Sequence, residues 1–451
     1  MSLEKWKIMK YLFKVTLLFL IVFNFRVPVI HYSCSVAVII AGLYYLIGKK
    51  SFPLNYFFQR YCFVILAGTL LITFYDALNA TMHGNIGGGA YARYLVQGWM
   101  LACLVFVLPI LIEKKESAFN ESLVVICGAF ALQGLIHTLG FLIEPFGEFI
   151  RIFQGERMDQ WGNFEINSFR LFSLTGSPFF DLPAAYGVAH IAFFGLQLDP
   201  NQNYLRGWKA FVVIVLMILG TMLSGRTGFI GFGLGLALYL FYNWSHFSTL
   251  WRNIIKITGG YLFLLVVFYT ALTPSQQSKF VDTVFPFAFE AYYNWRDTGR
   301  FGTTSTDELN RIHYYPLEAG TILWGDGGNS YELMPKYNPT DAGYMNILMM
   351  GGIPYLLVVI LYQLLFYWRP MVMAKRENSR SGDISFLFFF ISYAHFFILE
   401  YKGGAIGSIH TAEVVVLYYG ISYLVEQYAL EDAEEEEDIS SGELLNESVV
   451  V

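Results

Sequence analysis

The sequence predicts an all-α membrane protein that crosses the bilayer about twelve times. Of its 451 residues, 55% are hydrophobic and only 14% are charged, and the mean hydropathy is +0.48. A soluble domain carries about 25% charged residues. Apolar runs long enough to span a bilayer recur along the whole chain, and within lipid a helix satisfies its own backbone hydrogen bonds. We therefore expect residues 1–451 to form one integral membrane domain.

Twelve apolar runs mark the predicted spans. Their approximate limits are 8–24, 27–48, 61–79, 94–112, 119–143, 180–198, 208–223, 227–243, 253–272, 341–367, 384–400 and 405–427. The run from Ala210 to Tyr242 is interrupted only by the residues 224–227, Ser-Gly-Arg-Thr. We expect a helical hairpin there, with this turn at a membrane surface.

The basic residues predict which end of the bundle faces the cytoplasm. Lysine and arginine occur at the N-terminus and in every second short connection, which the positive-inside rule assigns to the cytoplasm. Both termini are then cytoplasmic, and the two long connections, 144–179 and 273–340, face outward. Residues 431–447 carry nine acids and no base, so the rest of the chain is near +3 although the net charge is −6. We expect residues 428–451 to be a disordered acidic tail in the cytoplasm.

Several classes of site are not predicted by this sequence. Its four cysteines have neither disulfide nor zinc spacing, no P-loop or H-E-x-x-H motif occurs, and the charge pattern does not favour nucleic-acid binding. No small-residue cleavage site follows the first apolar run, so we expect no cleavable signal peptide. Because zinc spacing and these motifs are absent from the sequence, we expect neither a metal nor another cofactor.

The connection 273–340 is the longest polar stretch between predicted spans. It contains several arginines, Lys336 and His313 beside carboxylates, and it ends at Asp341-Ala342-Gly343-Tyr344. Long structured loops usually carry function. We expect this loop to pack over the helical bundle and to cover an active site at the outer membrane surface.

Two arginines at the outer ends of spans are candidate anion ligands. Arg170 precedes the sixth span, and the alternative is that it only anchors the span end in the membrane interface. Arg226 lies in the tight turn between two apolar helices, where a cation needs an anionic partner. Ser224 could cap the next helix, whose N-terminal N–H groups together with the guanidinium favour a phosphate. The alternative for Arg226 is an internal salt bridge to a loop carboxylate.

Arg296 and Arg300 are the candidate cations of the large loop. They lie one helical turn apart, and two neighbouring guanidinium groups suit a pyrophosphate, whose oxygens arginine binds in bidentate fashion. The alternative is that both are solvated surface charges.

The last candidates lie at the ends of the tenth and eleventh spans. Asp341 precedes the tenth span, where it could cap the helix as well as act as a base, and Tyr344 follows one turn later. Lys402 is a candidate pyrophosphate ligand, with the alternative that it pairs with Glu400.

Four features in order resemble the O-antigen polymerase and O-antigen ligase superfamily. They are Arg170 with Pro178 before a span, the turn 224–231 around Arg226, the loop with Gly299-Arg300 and 324–327, and 341–344 leading into 350–354. Together they cover roughly residues 165–355. The resemblance implies a GT-C-like helical fold and action on glycans carried by undecaprenyl pyrophosphate at the periplasmic face of the bacterial inner membrane. It also implies that Arg170, Arg226 and Arg300 bind the donor and acceptor pyrophosphates, without metal or nucleotide sugar.

Within that superfamily, the residue at the end of the large loop favours a polymerase. The ligases carry a histidine there, whereas this chain has Asp341 and its His313 lies well upstream. The sequence thus predicts a polymerase that joins lipid-linked repeat units, with Asp341 as base, aided by a chain-length regulator. The alternatives are a ligase that transfers lipid-linked glycan to lipid A core, and a transporter of lipid-linked glycan. A transporter would be expected to have two similar halves, and no internal repeat is visible here.

Overall fold

The structure is a computed structural model dominated by helices. It describes residues 3–48, 50–58, 60–85, 90–112, 118–154, 169–170, 172–177, 179–199, 205–244, 268–376, 380–404 and 411–422, and scattered residues between 255 and 266. The predicted span 253–272 therefore lies largely outside the described residues, as does the tail 428–451.

The first half of the chain forms nine helices within these residues and one small hairpin. The helices are α1 (Leu3–Val22), α2 (Ser33–Ile47), α3 (Arg60–Met82), α4 (Ala90–Leu111), α5 (Ala118–Leu142), α6 (Glu144–Arg151), α7 (Asp181–Leu198), α8 (Trp208–Ser224) and α9 (Gly228–Tyr242). The strands β1 (Arg26–Val27) and β2 (His31–Tyr32) pair antiparallel, and a short 3₁₀ helix spans Leu54–Phe58.

The second half combines short loop helices with long apolar ones. The short helices are α10 (Pro274–Lys279), α11 (Phe285–Ala288), α12 (Glu290–Thr298), α13 (Thr304–Glu308) and α14 (Ala319–Trp324), with π turns at Phe280–Val284 and Leu309–His313. The long helices are α15 (Gly343–Arg376) and α16 (Arg380–Lys402), and α17 (Thr411–Ser422) follows.

Four described helices are long and apolar enough to cross a membrane. They are Cys62–Met82, Ala118–Leu142, Gly343–Lys375 and Ile384–Lys402. Five shorter helices, including α8, α9 and α17, are also apolar. These lengths indicate a membrane protein, whereas the count of twelve spans, the GT-C-like architecture and the orientation stay predictions.

The second predicted span begins later than expected. Instead of a helix from residue 27, the chain forms the β1–β2 hairpin, and Val29 and His31 have positive φ angles of 74° and 67°. Pro28 lacks a backbone N–H, and the residue before a proline avoids helical geometry. The helix α2 therefore starts only at Ser33.

The predicted hairpin around residues 224–227 forms a turn, but its two helices pack mainly against different partners. The helix α8 packs against α5, and α9 packs against α7, which also contacts α16. A Cβ atom at Gly231 of α9 would overlap the backbone of Gly187 in α7. The helices α7 and α9 can thus approach this closely only because Gly231 has no side chain.

The helix α15 is broken near its start. Gly351 and Gly352 leave the helical conformation, and Gly352 has a φ of +64°. The break frees carbonyl groups, and these accept hydrogen bonds from Asn79 and from the backbone N–H of Asp326. The turn after α14 therefore packs against the break in α15. Beyond the break, α15 resumes at Ile353.

The large loop 273–340 packs over one end of the bundle, as the sequence predicted. Gln276 donates to the carbonyl oxygens of Phe141 and Leu142 at the end of α5, at 3.0 and 2.9 Å. Tyr314 donates to the carbonyl of Tyr401 at the end of α16, at 2.8 Å. Of the other long connection, 144–179, the residues 155–168 lie outside the described part.

Candidate functional site

Three cations from distant parts of the chain lie together at this end of the bundle. We call Arg170, Arg226 and Lys402 the cation site. The Oγ of Ser305 accepts from the Arg226 Nη2 at 3.2 Å and from the Lys402 Nζ at 3.3 Å. The ring centre of Phe287 lies 4.6 Å from the Arg226 guanidinium and 5.7 Å from that of Arg170. The structure thus brings together three of the residues that the sequence selected.

Arg170 is fixed by backbone carbonyls. Its Nε donates to the carbonyl of Ser224 at 2.6 Å, its Nη2 donates to the carbonyl of Phe179, and its guanidinium covers the Phe179 ring at 4.8 Å. Burial, together with the charge of nearby Arg226, lowers the pKa of Arg170 to about 10. These contacts tie the segment before α7 to the end of α8, so Arg170 is more than a surface anchor and has fewer N–H groups left for a ligand.

Arg226 forms the internal salt bridge that the sequence left open. Its Nη1 pairs with the Glu290 carboxylate, and the two side chains are only 16% and 20% exposed. Burial lowers the pKa of the Arg226 guanidinium. The other Glu290 oxygen accepts the backbone N–H of Thr304 at 2.7 Å. A carboxylate of the large loop therefore reaches into the cation site.

The expectation that Ser224 caps the next helix is wrong. Ser224 is the last residue of α8, and its hydroxyl donates back to the Thr221 carbonyl at 3.3 Å. The N-cap residue of α9 is Thr227, and its side chain makes no capping hydrogen bond. The N–H groups of Gly228, Phe229 and Ile230 donate to carbonyls three residues earlier. A phosphate ligand at this turn would therefore be recognised mainly by side chains.

Lys402 is the last residue of α16 and points to the loop. It donates to Ser305, and among the described residues it makes no ion pair with Glu400. The Glu400 side chain is buried below Gly343, where an added Cβ would overlap it. The pairing that the sequence allowed between these two neighbours is therefore replaced by a contact between Lys402 and the loop.

Arg296 and Arg300 do not join the cation site within the described part of the chain. Arg296 binds both oxygens of its neighbour Asp297, at 2.6 and 3.1 Å, and both side chains are 55% exposed. Gly299 has a φ of +73° and ends α12, so Arg300 leaves the helix. The Arg300 side chain is exposed and meets no hydrogen-bond or ion-pair partner among the described residues. The expected pair of adjacent guanidinium groups is thus not formed.

Asp341 and Tyr344 make contacts with different neighbours. The Asp341 carboxylate is exposed and accepts the Tyr331 hydroxyl at 2.8 Å. Burial, and then this hydrogen bond, raise the pKa of Tyr331. The Tyr344 hydroxyl donates to the Phe397 carbonyl of α16 at 3.3 Å.

The expected capping role of Asp341 is not observed. Because α15 begins at Gly343, Asp341 lies two residues before the helix. The hydroxyl of Thr340 instead accepts the backbone N–H of Ala342 at 3.1 Å. The Asp341 carboxylate is therefore not used for capping, in contrast to the helix start that the sequence suggested.

His313 lies beside Asp341, and this proximity was not predicted from the sequence. Its Nδ1 is 3.2 Å from the Thr340 Oγ1 and 3.4 Å from the Asp341 backbone nitrogen. The Thr340 hydroxyl also donates to the His313 carbonyl at 3.1 Å. The separation of 28 residues gave no local signal, because only the return of the loop between them creates the contact.

Asp326 and its hydrogen-bond donors form a polar cluster that fixes the turn after α14 against the break in α15. Asp326 Oδ2 accepts from Tyr337 at 2.6 Å, from Thr321 at 2.9 Å and from Lys336 at 3.0 Å. Burial alone would raise the pKa of Asp326, but these three hydrogen bonds outweigh it, and the pKa lies below its usual value. Every donor belongs to the loop, so this cluster has a structural role.

Comparison with protein-family models, with curated proteins and with solved structures finds no match to this chain. Any function must therefore be argued from the residues and their arrangement.

Proposed function

We propose that this chain is a glycosyltransferase that joins oligosaccharide repeat units carried on undecaprenyl pyrophosphate, as an O-antigen polymerase does. The observation that carries the proposal is the cation site, where three cations from separate elements meet at the end of a bundle of apolar helices. In this proposal the site faces the periplasm from the bacterial inner membrane. Donor and acceptor are both lipid-linked glycans, and a chain-length regulator is a further partner.

The charge of the cation site favours a diphosphate group. Arg226 has one carboxylate partner, Glu290, and no described residue gives Arg170 or Lys402 an ion pair. Unpaired cations at helix ends in a membrane protein are costly and usually mark a site for an anionic group. Arginine binds phosphate oxygens in bidentate fashion, whereas lysine acts as a compact charge. A lipid-linked pyrophosphate supplies oxygens for both and keeps its lipid beside the apolar helices.

The proposed reaction is a direct displacement at the anomeric carbon of the donor sugar. The acceptor hydroxyl oxygen forms the new glycosidic bond, and the bond from the anomeric carbon to the pyrophosphate oxygen breaks. The bonding electrons leave with the pyrophosphate, and Arg226 and Lys402 stabilise that developing charge. Asp341 takes the proton of the attacking hydroxyl. Arg300, Tyr344 and Arg296 complete the proposed substrate-binding set. Arg300 is exposed on the large loop, whereas Arg296 would have to release Asp297 to bind the substrate.

A gel of surface polysaccharide from cells that lack this chain tests the proposal. A polymerase predicts that single repeat units still cap the lipid core while the ladder of longer chains is lost. An unchanged ladder would contradict the proposal. Loss of both the ladder and the single capped units would favour a transporter of lipid-linked glycan. Re-expression of the wild-type chain should restore the ladder, which controls for effects on neighbouring genes.

The ligase is the second candidate, and one contact favours it. Ligases of this superfamily carry a histidine at the end of the large loop, and here His313 lies 3.4 Å from the Asp341 backbone nitrogen despite its distance in sequence. The same gel separates the two, because loss of a ligase leaves lipid-linked polymer that is not attached to the lipid core.

A further inference from the structure

Glu290 ties the large loop to the cation site through two contacts. Its Oε2 pairs with Arg226, and its Oε1 accepts the Thr304 N–H at 2.7 Å. Glu290 begins α12, and Thr304 begins α13. One carboxylate therefore holds the starts of two loop helices against the turn between α8 and α9.

Ser305 occupies the point at which two of the cations converge. Its Oγ accepts from both Arg226 and Lys402, at 3.2 and 3.3 Å. A phosphate oxygen that bound both cations would have to stand where this hydroxyl oxygen stands. The Arg226 side chain is only 16% exposed, so little of it is open to a ligand while Glu290 and Ser305 are in place.

We infer that Glu290 and Ser305 form a latch that closes the cation site, and that the diphosphate of the ligand opens it by replacing both groups. The inference rests on the proposed function, since it assigns a regulation to the same site. Exchange of one anion for another never leaves the Arg226 guanidinium unpaired, and an unpaired buried charge is costly. A glycan without phosphate cannot make this exchange, so the latch selects for the charged lipid carrier.

The part of the loop that the latch holds has few other attachments. No residue of α12 or α13 is buried. The preceding residues Phe285, Phe287 and Phe289 pack against the hydrophobic core. Opening of the latch therefore frees residues 290–305, while Phe285, Phe287 and Phe289 stay packed against the core. Arg300 lies within the freed segment, which explains how an exposed arginine without a side-chain partner reaches the ligand.

The experiment measures how methylenediphosphonate, a stable pyrophosphate analogue, binds to the full-length protein in nanodiscs. Glu290→Gln removes the competing charge but keeps the shape, so it should tighten binding by about tenfold or more, as expected for a close charge pair. Amide exchange in residues 290–305 should be faster in this variant, and the analogue should produce the same acceleration in the wild type. Glu308→Gln, an equal charge change at an exposed position of α13, should alter neither.

Ser305→Ala provides a second test that leaves the Arg226–Glu290 pair intact. Loss of the hydroxyl should tighten binding by about threefold, the typical contribution of one hydrogen bond. If wild type, Glu290→Gln and Ser305→Ala bound the analogue equally, without a change in exchange, the latch would be refuted and the cation site would stand. If the analogue bound none of the three, the cation site and the proposed function would both be refuted.

Discussion

The two oxygens of the Asp341 carboxylate have different surroundings. Oδ1 accepts the Tyr331 hydroxyl at 2.8 Å, and no described residue donates to Oδ2. The second oxygen is thus open to a sugar hydroxyl, which a general base must reach within hydrogen-bonding distance. In the proposed reaction, Tyr331 orients the carboxylate and Oδ2 takes the proton.

Replacement of Asp341 by asparagine should slow polymer formation by about 100-fold or more, the usual contribution of a general base. The amide keeps the shape and can still accept from Tyr331, but it cannot take up the proton. The rate of ladder growth is measured in membranes that contain equal amounts of each variant. Asp307→Asn, at an exposed carboxylate of α13, is the matched control. A normal rate for Asp341→Asn would exclude Asp341 as the base.

Asp326 should make the stability of the loop depend on acid. Its folded-state pKa is lowered, so its stabilisation is complete above the ordinary aspartate pKa of about 3.9 and is lost as the pH falls below that value. Asp326→Asn should raise amide exchange in residues 319–337 at neutral pH by about tenfold, because hydrogen bonds to a charged group are lost. In the wild type, the same loss of protection, relative to the intrinsic exchange rate at each pH, should appear only on acidification.

Glu318→Gln is the control for Asp326. Glu318 lies 3.7 Å from the same Lys336, but its side chain is 74% exposed. Exposed ion pairs contribute little to stability. An equal effect of both variants would show that Asp326 does not hold the turn.

The sequence identified the three cations but not their partners. Arg170, Arg226 and Lys402 are conspicuous because a charge at the end of an apolar run needs an explanation. Glu290 and Ser305 lie in a loop with many similar polar residues, and nothing local distinguishes them. His313 and Asp341 are 28 residues apart along the chain, and only the folded loop brings the two together.

The contact between α7 and α9 depends on Gly231 of α9. At Gly231 a Cβ atom would overlap the backbone of Gly187, whereas at Gly233, on the same helix, it would meet no atom within 4 Å. Alanine substitutions at Gly231 and Gly233 therefore provide a matched test of close helix packing.

Gly231→Ala should destabilise the protein by about 1–3 kcal/mol, as overpacking in a tight core does. Gly233→Ala should be neutral or slightly stabilising, because alanine favours a helix interior over glycine. Thermal unfolding in detergent gives both values. Equal melting temperatures for the two variants would contradict the close approach of α7 and α9.

Helix positions could be predicted because hydropathy is local, whereas interruptions within helices depend on distant partners. The sequence predicted one continuous span over 341–367, whereas α15 breaks at Gly351 and Gly352, where the freed carbonyls accept hydrogen bonds from Asn79 and Asp326. Similarly, hydropathy predicted the second span from residue 27 and could not predict the pairing of Arg26–Val27 with His31–Tyr32. Both features require contacts that no single window of sequence contains.

Six connections alternate with the basic ones and are predicted to face outward: the turn at Arg26, 80–93, 144–179, the turn at Arg226, 273–340 and 400–404. Contacts join all six. The Arg26 N–H donates to Phe153, and Arg170 joins the 144–179 connection to Ser224. The large loop binds the remaining connections through the pairs Asn85–Asp326, Arg226–Glu290 and Tyr314–Tyr401. These connections therefore lie at one end of the bundle, as the alternation of basic loops requires. The side of the membrane that this end faces stays a prediction.

In the proposed function, the cation site binds the pyrophosphate of lipid-linked glycans and thereby allows their polymerisation. The most direct measurement uses the purified protein in nanodiscs with repeat units on undecaprenyl pyrophosphate, and follows the products on a gel. The wild type and Arg311→Ala should both form a ladder, since Arg311 is an exposed arginine of the same loop outside the proposed binding set. Arg226→Ala should form none or at least 100-fold less, as expected when a preorganised charge contact is removed. A normal ladder from Arg226→Ala would refute pyrophosphate binding by the cation site, and no ladder from the wild type would refute the proposed polymerase activity.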